Sequence, residues 1–303
     1  MIGNWEILKA EKFSILMEIN INKIKQDKTI KEILEFSIIN LDKPCGPTSF
    51  QVAEQVGKIV EARKFSHFGT LDPLAGGVLP VALNRACRLA TWFMKKDKTY
   101  VGVMKIHSEI SDKQLGEEMQ KFVGKIKQLP PVKSRVKREE REREVYRFDI
   151  IEKEGKEVLF IAEVEAGTYI RKLVHDLGLK IGGAHMTELR RTNAGIFSEN
   201  DKEFVTLYEL EKAIEEYKQG NEKELRRILI PGEVIGKIMP VIYVKKECIG
   251  KLLTGSPLTK DFLDEKTETK EGNVAVFSSD KLIRVYELSK EKDIFARPNF
   301  VLN

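Results

Sequence analysis

One carboxylate, Asp72, stands near the middle of a loop that its neighbours make stiff. The stretch reads His67-Phe68-Gly69-Thr70-Leu71-Asp72-Pro73-Leu74-Ala75-Gly76-Gly77-Val78-Leu79-Pro80. Glycines let backbone approach backbone or ligand closely, and prolines stiffen the path. A carboxylate held in one place serves as a nucleophile or a base. The plain alternative is turn chemistry, in which an Asp before Pro only satisfies nearby backbone donors. A second charge is out of place. Arg171 falls near the start of a helix, where a cation opposes the helix dipole. A partner carboxylate would remove that objection. Two basic clusters stand apart from these, Lys133-Ser134-Arg135-Val136-Lys137-Arg138 and Leu189-Arg190-Arg191-Thr192. Clustered cations of this kind suit phosphate contacts.

The surrounding pattern supplies elements to carry these residues. Phe36 to Leu41 is a short strand. Two prolines and a glycine in Asp42 to Ser49 then bar regular structure, and Thr48 or Ser49 caps a helix whose apolar spacing is Phe50, Ala53, Val56 and Val60. The apolar run Gly77 to Leu83 reads as a buried strand, and Asn84 as the cap of a short helix with Leu89, Trp92 and Phe93. Thr99 to Ile106 alternates, with Tyr100, Gly102, Met104 and Ile106 on one face. Taken alone, Tyr100 is an ordinary strand aromatic. Ser111 and Gln114 form a capping box ahead of a helix running through Leu115, Met119, Phe122, Val123 and Ile126. Val145 to Ile151 and Val158 to Val164 form a hairpin, and the alternating charges of Glu139 to Glu144 a solvated, salt-bridged face. Ile170, Leu173, Val174 and Leu177 stripe the helix that carries Arg171.

Length and composition set the outer limits. The 303 residues, 42% hydrophobic and 33% charged, suffice for more than one domain. The net charge of +5 permits an anionic partner without demanding one. Cys45, Cys87 and Cys248 are scattered, so neither a zinc site nor a disulfide framework is indicated, and a reducing compartment fits. No apolar run approaches membrane-spanning length and no leader pattern is present, which predicts a soluble, cytoplasmic protein without membrane partners. Residues 1–35 read as an extension that packs on a neighbour or frays. Past Pro240, short strand-like runs and one small helix around Ile249 to Leu253 predict a compact β-rich domain.

Three segments, in order, raise a resemblance. Leu41-Asp42-Lys43-Pro44-Cys45-Gly46-Pro47-Thr48-Ser49, then Gly69-Thr70-Leu71-Asp72-Pro73, then Gly167-Thr168-Tyr169-Ile170-Arg171 are similar to motifs of the pseudouridine synthases. The similar class includes the bacterial enzyme that modifies uridine 55 of tRNA and the archaeal and eukaryotic dyskerin proteins. The stretches around Leu129-Pro130-Pro131, Glu165 to Gly178 and Gly183 to Thr192 resemble the archaeal dyskerin type most.

The resemblance implies an α+β fold, with a catalytic domain over 36–235 built on a mixed, mainly antiparallel sheet. A small C-terminal β-barrel of the PUA type, over 236–303, would bind RNA. It implies isomerisation of uridine to pseudouridine, with no redox change and so no cofactor or metal. Asp72 would act at the sugar, Arg171 would pair with it, and Tyr100 would lie against the flipped base. Lys43 and Pro44 would support the loop, Leu189 would pack near the base, and His67 would contact the flipped region of RNA. Lys133, Arg135, Lys137, Arg138, Arg190 and Arg191 are expected at RNA phosphates. The archaeal type implies an H/ACA particle, in which a guide RNA selects rRNA or tRNA uridines and small accessory proteins dock. The alternatives are a guide-independent tRNA uridine-55 enzyme and a non-catalytic RNA-binding scaffold. Phe50, Phe68 and the wording Leu74-Ala75-Gly76-Gly77 depart from the archaeal pattern.

Overall fold

A nine-residue strand with strict alternation, Lys98–Ile106, runs through the middle of the main sheet. The computed structural model describes residues 19–130, 137–264, 272–291 and 293–299. In chain order the elements are α1 (Ile21–Asp27), α2 (Ile30–Glu35), β1 (Phe36–Lys43), α3 (Ser49–Ile59), β2 (Phe65–His67), β3 (Ala75–Asn84), α4 (Ala90–Met94) and β4 (Lys98–Ile106). There follow α5 (Asp112–Gln120), β5 (Gly124–Gln128), β6 (Arg141–Glu154), β7 (Glu157–Val164), α6 (Ile170–Ile181), β8 (Ala184–Ala194) and β9 (Phe197–Ser198). The last are α7 (Leu207–Lys218), α8 (Lys223–Ile228), β10 (Ile230–Pro231), β11 (Val241–Tyr243), α9 (Ile249–Leu253), β12 (Asn273–Ser278), β13 (Lys281–Leu288) and β14 (Ala296–Pro298). Two compact units result. Among the described residues, one is Ile38–Leu229, and the other joins those before Ile38 with those from Ile230 onward.

In the larger unit the strands run β1-β3-β8-β4-β7-β6-β5. β3 and β8 pair in parallel, while β8–β4, β4–β7, β7–β6 and β6–β5 are antiparallel. The sheet is therefore mixed and mainly antiparallel, as expected. Tyr100, Met104 and Ile106 are buried on one face of β4. α6 buries Ile170, Leu173, Val174 and Leu177. Phe68 stacks on Phe93 at 4.8 Å between ring centroids, with Phe197 tilted against both. That aromatic trio accounts for Phe68, which the sequence pattern left without a role.

Several local expectations are revised. Thr48, not Ser49, caps α3 through a capping box with Gln51, and Phe50 is exposed while Val52, Ala53 and Val56 are buried. Asn84 does not cap a helix; its Oδ1 accepts from the backbone N–H groups of Arg63 and Lys64. α5 ends at Gln120 and the chain turns into β5, so Ile126 lies on a strand and only Leu115 and Met119 are buried on the helix. The alternating charges do form a solvated, salt-bridged face, with Glu142 paired to Lys125 (3.0 Å) and Glu140 to Lys127 (3.6 Å).

In the smaller unit the sheet order is β11-β12-β13-β14, with β11–β12 parallel and the other pairs antiparallel. Val244–Leu263 and Leu258–Ala296 bridges extend it, and no closed barrel forms among the described residues. Leu252, Leu258, Val274, Val276 and Tyr286 fill its core. α1 and α2 belong to this unit; Lys28 meets the buried Glu233 at 2.5 Å, and Lys23 meets Asp280 at 2.5 Å. No helix among the described residues is long and apolar enough to cross a membrane.

Candidate active site

The loop that carries Asp72 joins β2 to β3, and both residues beside Asp72 are pinned through their backbones. Ser49 Oγ, in the first turn of α3, donates to the Leu71 carbonyl (3.0 Å) and accepts from the Leu71 N–H (2.8 Å). The Pro73 carbonyl accepts from Gly46 N (2.7 Å) and from Lys43 Nζ (3.2 Å). Lys43 Nζ also donates to the carbonyls of Pro44 (2.9 Å) and Ala75 (2.8 Å). Lys43 is fully buried, and burial lowers its pKa, with Asp72 among the charges that oppose the shift. Its ammonium is thus a clamp on the loop, within the field of Asp72. Sequence reading offered Ser49 only as a cap. The Thr48–Gln51 spacing, which hands the cap to Thr48 and frees Ser49, was the available signal.

Arg191 holds the other end of the loop. It is 1% exposed, its Nε donates to the Val78 carbonyl (2.7 Å), and its Nη2 donates to Gly69 O (3.1 Å). Gly77 sits directly beneath it with φ +97°, and a Cβ there would stand 2.2 Å from Arg191 O. Only glycine permits that contact between β3 and β8. Arg190 binds Asp42 in a two-pronged pair (3.0 and 3.1 Å) and Glu199 (2.7 Å). The two arginines are therefore struts of the sheet, not free charges for phosphate, which corrects the expectation for this cluster. Lys137 is exposed and paired with Glu139, and Arg138 is exposed. Lys133 and Arg135 lie outside the described residues.

Arg171, on the first turn of α6, forms an ion pair with Asp72 through Nη2 and Oδ2. The side chains are 54% and 46% exposed, so the pair is open to solvent. Register sets the rest of the site. Gly77, Arg191 and Tyr100 form one row across β3, β8 and β4, and Ala75, Leu189 and Gly102 form another two residues along. Strand spacing puts Tyr100 about 10 Å from Gly77 across the sheet. Tyr100 and Leu189 are each 8% exposed. Lys98, two residues before Tyr100, is buried and caps the carbonyls of Met94 (2.7 Å) and Lys96. Burial, with Arg191 adding to it, lowers its pKa to about 8. His67 pairs with Val81 in β2–β3; burial first, and Arg191 second, push its pKa down. Among the described residues no three His, Cys, Asp or Glu side chains cluster as metal ligands would.

The loop carboxylate Asp72 is thus pinned on both sides with an arginine on its oxygen, and Tyr100 is buried on β4, two strands from β3 in the same sheet. Residues 57–170 match the model of the TruB family pseudouridylate synthase N-terminal domain, and residues 171–235 match the tRNA pseudouridylate synthase B C-terminal domain. A "Probable tRNA pseudouridine synthase B" of Pyrococcus horikoshii is 43% identical over 235 residues, 77% of this chain and 70% of the relative. The chain belongs to the TruB family of pseudouridine synthases. A relative of the same designation in Nanoarchaeum equitans is 42% identical over 77% of this chain and 66% of its own length. Among solved structures, a Cbf5-Nop10-Gar1 complex matches with TM-score 0.84 and 35% identity, covering 92% of this chain and 88% of that one. An H/ACA RNP bound to a substrate RNA containing 2'-deoxyuridine matches with TM-score 0.83 and 34% identity, covering 92% and 89%. The first family match contains Asp72 and Tyr100, and the second begins at Arg171.

Proposed function

We propose that this pseudouridine synthase is the catalytic subunit of a guide-RNA particle, with Asp72 acting at the ribose of a flipped uridine. In the reaction the N1–C1′ bond breaks, the base turns, and a C5–C1′ bond forms; N1 gains a proton and C5 loses one, so nothing is oxidised. Asp72 acts as nucleophile or base at the sugar. Arg171 orients its carboxylate, and Tyr100 lies against the base and assists proton removal from C5. Leu189, buried two rows from Tyr100 along the β4–β8 ladder, packs near the base. Lys43 and Pro44 hold the loop, and His67 meets the flipped region of the RNA. The observation that carries this reading is the Asp72–Arg171 pair on a loop clamped by Lys43.

The guide-dependent assignment rests on the neighbours, one solved as a Cbf5-Nop10-Gar1 complex and one as an H/ACA RNP bound to a substrate RNA. We assign the C-terminal unit as a PUA-type RNA-binding domain over roughly 236–303, because those matches extend over 92% of the chain. Lys137 and Arg138 remain phosphate contacts in this reading, as do Lys133 and Arg135. A cytoplasmic location belongs to this reading, and the three free cysteines support a reducing compartment. A second reading, guide-independent action on tRNA, is favoured by the designation of the relatives as tRNA pseudouridine synthases. Release of tritium from C5-labelled uridine separates them. Turnover that requires guide RNA and accessory proteins is expected; robust turnover on tRNA by the protein alone overturns the guide assignment.

A further inference from the structure

Two histidines meet where β4 ends and β8 begins. His185 faces Lys105 in the β4–β8 ladder, and His107 follows directly after the ladder, two residues beyond Lys105. Residues two apart on a strand share a face, so the two imidazoles are diagonal neighbours across the pair of strands. His107 Nε2 and His185 Nδ1 lie 2.8 Å apart, with ring centroids at 5.1 Å and planes at 54°. One of these nitrogens donates its hydrogen to the other. Both histidines are exposed to solvent.

The backbone under the rings is fixed by the fold itself. The His107 N–H donates to the Gly183 carbonyl (2.9 Å), and Lys156 Nζ donates to the His107 carbonyl (2.8 Å). The Gly183 N–H donates to Gly178 O (2.7 Å), which closes the end of α6. Gly183 has φ +115°, and a Cβ there would run into His107 Nδ1. The His107 ring therefore rests on the Gly183 backbone, and its Nε2 is left for His185. Lys156, the nearest cation to the His107 backbone, is partnered by Glu109 (3.7 Å). No third His, Cys, Asp or Glu joins the pair among the described residues.

Two imidazole nitrogens aimed at one another hold a single hydrogen between them, and a metal dication takes its place when both rings turn their lone pairs to one point. The ring that donated moves its hydrogen through solvent to its other nitrogen, so both bind as neutral imidazoles. Distance selects the metal. Cis ligands about 2.0 Å from a square-planar centre stand ~2.8 Å apart, whereas tetrahedral zinc with bonds of about 2.0–2.1 Å needs roughly 3.3 Å. We propose that His107 and His185 form a two-histidine clip for a dication that favours square-planar or tetragonal nitrogen ligands, copper(II) or nickel(II), with water in the other positions. The clip ties β4 to β8 beside the last turn of α6, the elements that carry Tyr100, Leu189 and Arg171. It stands seven residues from Tyr100, ~23 Å along the strand, and holds whatever reaction Asp72 performs.

The test uses the full chain without a histidine tag, which leaves four histidines in all. Copper(II) chloride is titrated in, with glycine as a weak competitor. Expected are one copper(II) per chain, a tetragonal EPR spectrum with nitrogen splitting, and a raised melting temperature, because a ligand of the folded state stabilises it. His107→Gln and His185→Gln should each weaken binding by at least the ~10-fold that even outer-shell changes cost a metal site, and the double variant should lose the site. His175→Gln, exposed on α6, should bind as the parent does. Undiminished affinity in the double variant, or a parent that takes up no copper(II) against glycine, overturns the clip. Should the variants fail to melt cooperatively, the parent decides alone. Copper(II) should then broaden the imidazole C–H NMR signals of two histidines of the four first, and any other pattern overturns the clip.

Discussion

Arg171 reaches from the first turn of α6 to the carboxylate of Asp72 on the β2–β3 loop, and both side chains are about half exposed. An ion pair so open contributes only ~0–1 kcal/mol to stability. Its worth lies in orientation. Asp72→Asn should therefore lower turnover by at least ~10⁴-fold, the scale on which deletion of a nucleophile acts. Arg171→Ala should also cripple turnover, yet both variants should melt within a few degrees of the parent and bind RNA nearly as well. Tritium release and thermal melts check this. Substantial turnover by Asp72→Asn sinks the assignment of Asp72.

Lys43 makes the opposite prediction, since its ammonium is fully buried on three carbonyls. Hydrogen bonds from a charged donor contribute ~1.5–3 kcal/mol each, and buried carbonyls left bare are costly. Lys43→Met should lose about 2–4 kcal/mol of unfolding free energy and most activity together. Urea denaturation measures the first. A stable Lys43→Met variant with normal turnover would show that the loop needs no clamp.

Arg191 is a strut and should behave as one. Arg191→Met strips two hydrogen bonds from the carbonyls of Val78 and Gly69, at a cost of about 3 kcal/mol or more. The salt slope of RNA binding should stay unchanged, because no phosphate contact is lost. A slope shallower by about one with undiminished stability would return Arg191 to the RNA-binding surface.

The contrast shows where sequence was informative. Period-two burial on β4 and the stripe of α6 were legible, because each depends on neighbours close in the chain. Arg171's need for a carboxylate could be read from its place at a helix start. What Arg190 and Arg191 do could not be read, because their partners lie more than 100 residues away in the cases of Asp42, Val78 and Gly69. A run of basic residues looks the same whether it faces solvent or carbonyls. The end of α5 was misjudged for a related reason. Apolar residues from Leu115 to Ile126 fit a helix, but the edge of the sheet recruits Gly124–Gln128 as a strand beside β6. The pairing energy comes from the partner, which no local window contains.

Lys98 yields a pH dependence whose sign is fixed by burial. Its folded pKa is lowered from 10.5 to about 8, chiefly because burial disfavours the ammonium. Below pH 8 both folded and unfolded chains carry the proton, and the burial penalty is fully present. Between about pH 8 and 10.5 the unfolded chain binds more proton than the folded one, so this group makes stability rise with pH. A shift of this size corresponds to about 3 kcal/mol across the window. Lys98→Met has no such titration. The gap in unfolding free energy between parent and variant should therefore move in the parent's favour, by up to that amount, from pH 7.5 to pH 10. Urea denaturation at several pH values reads it as a difference, which cancels the other titrating groups. Parallel profiles for parent and variant would mean that Lys98 keeps an ordinary pKa and that its ammonium, two residues from Tyr100, is not confined as the fold requires.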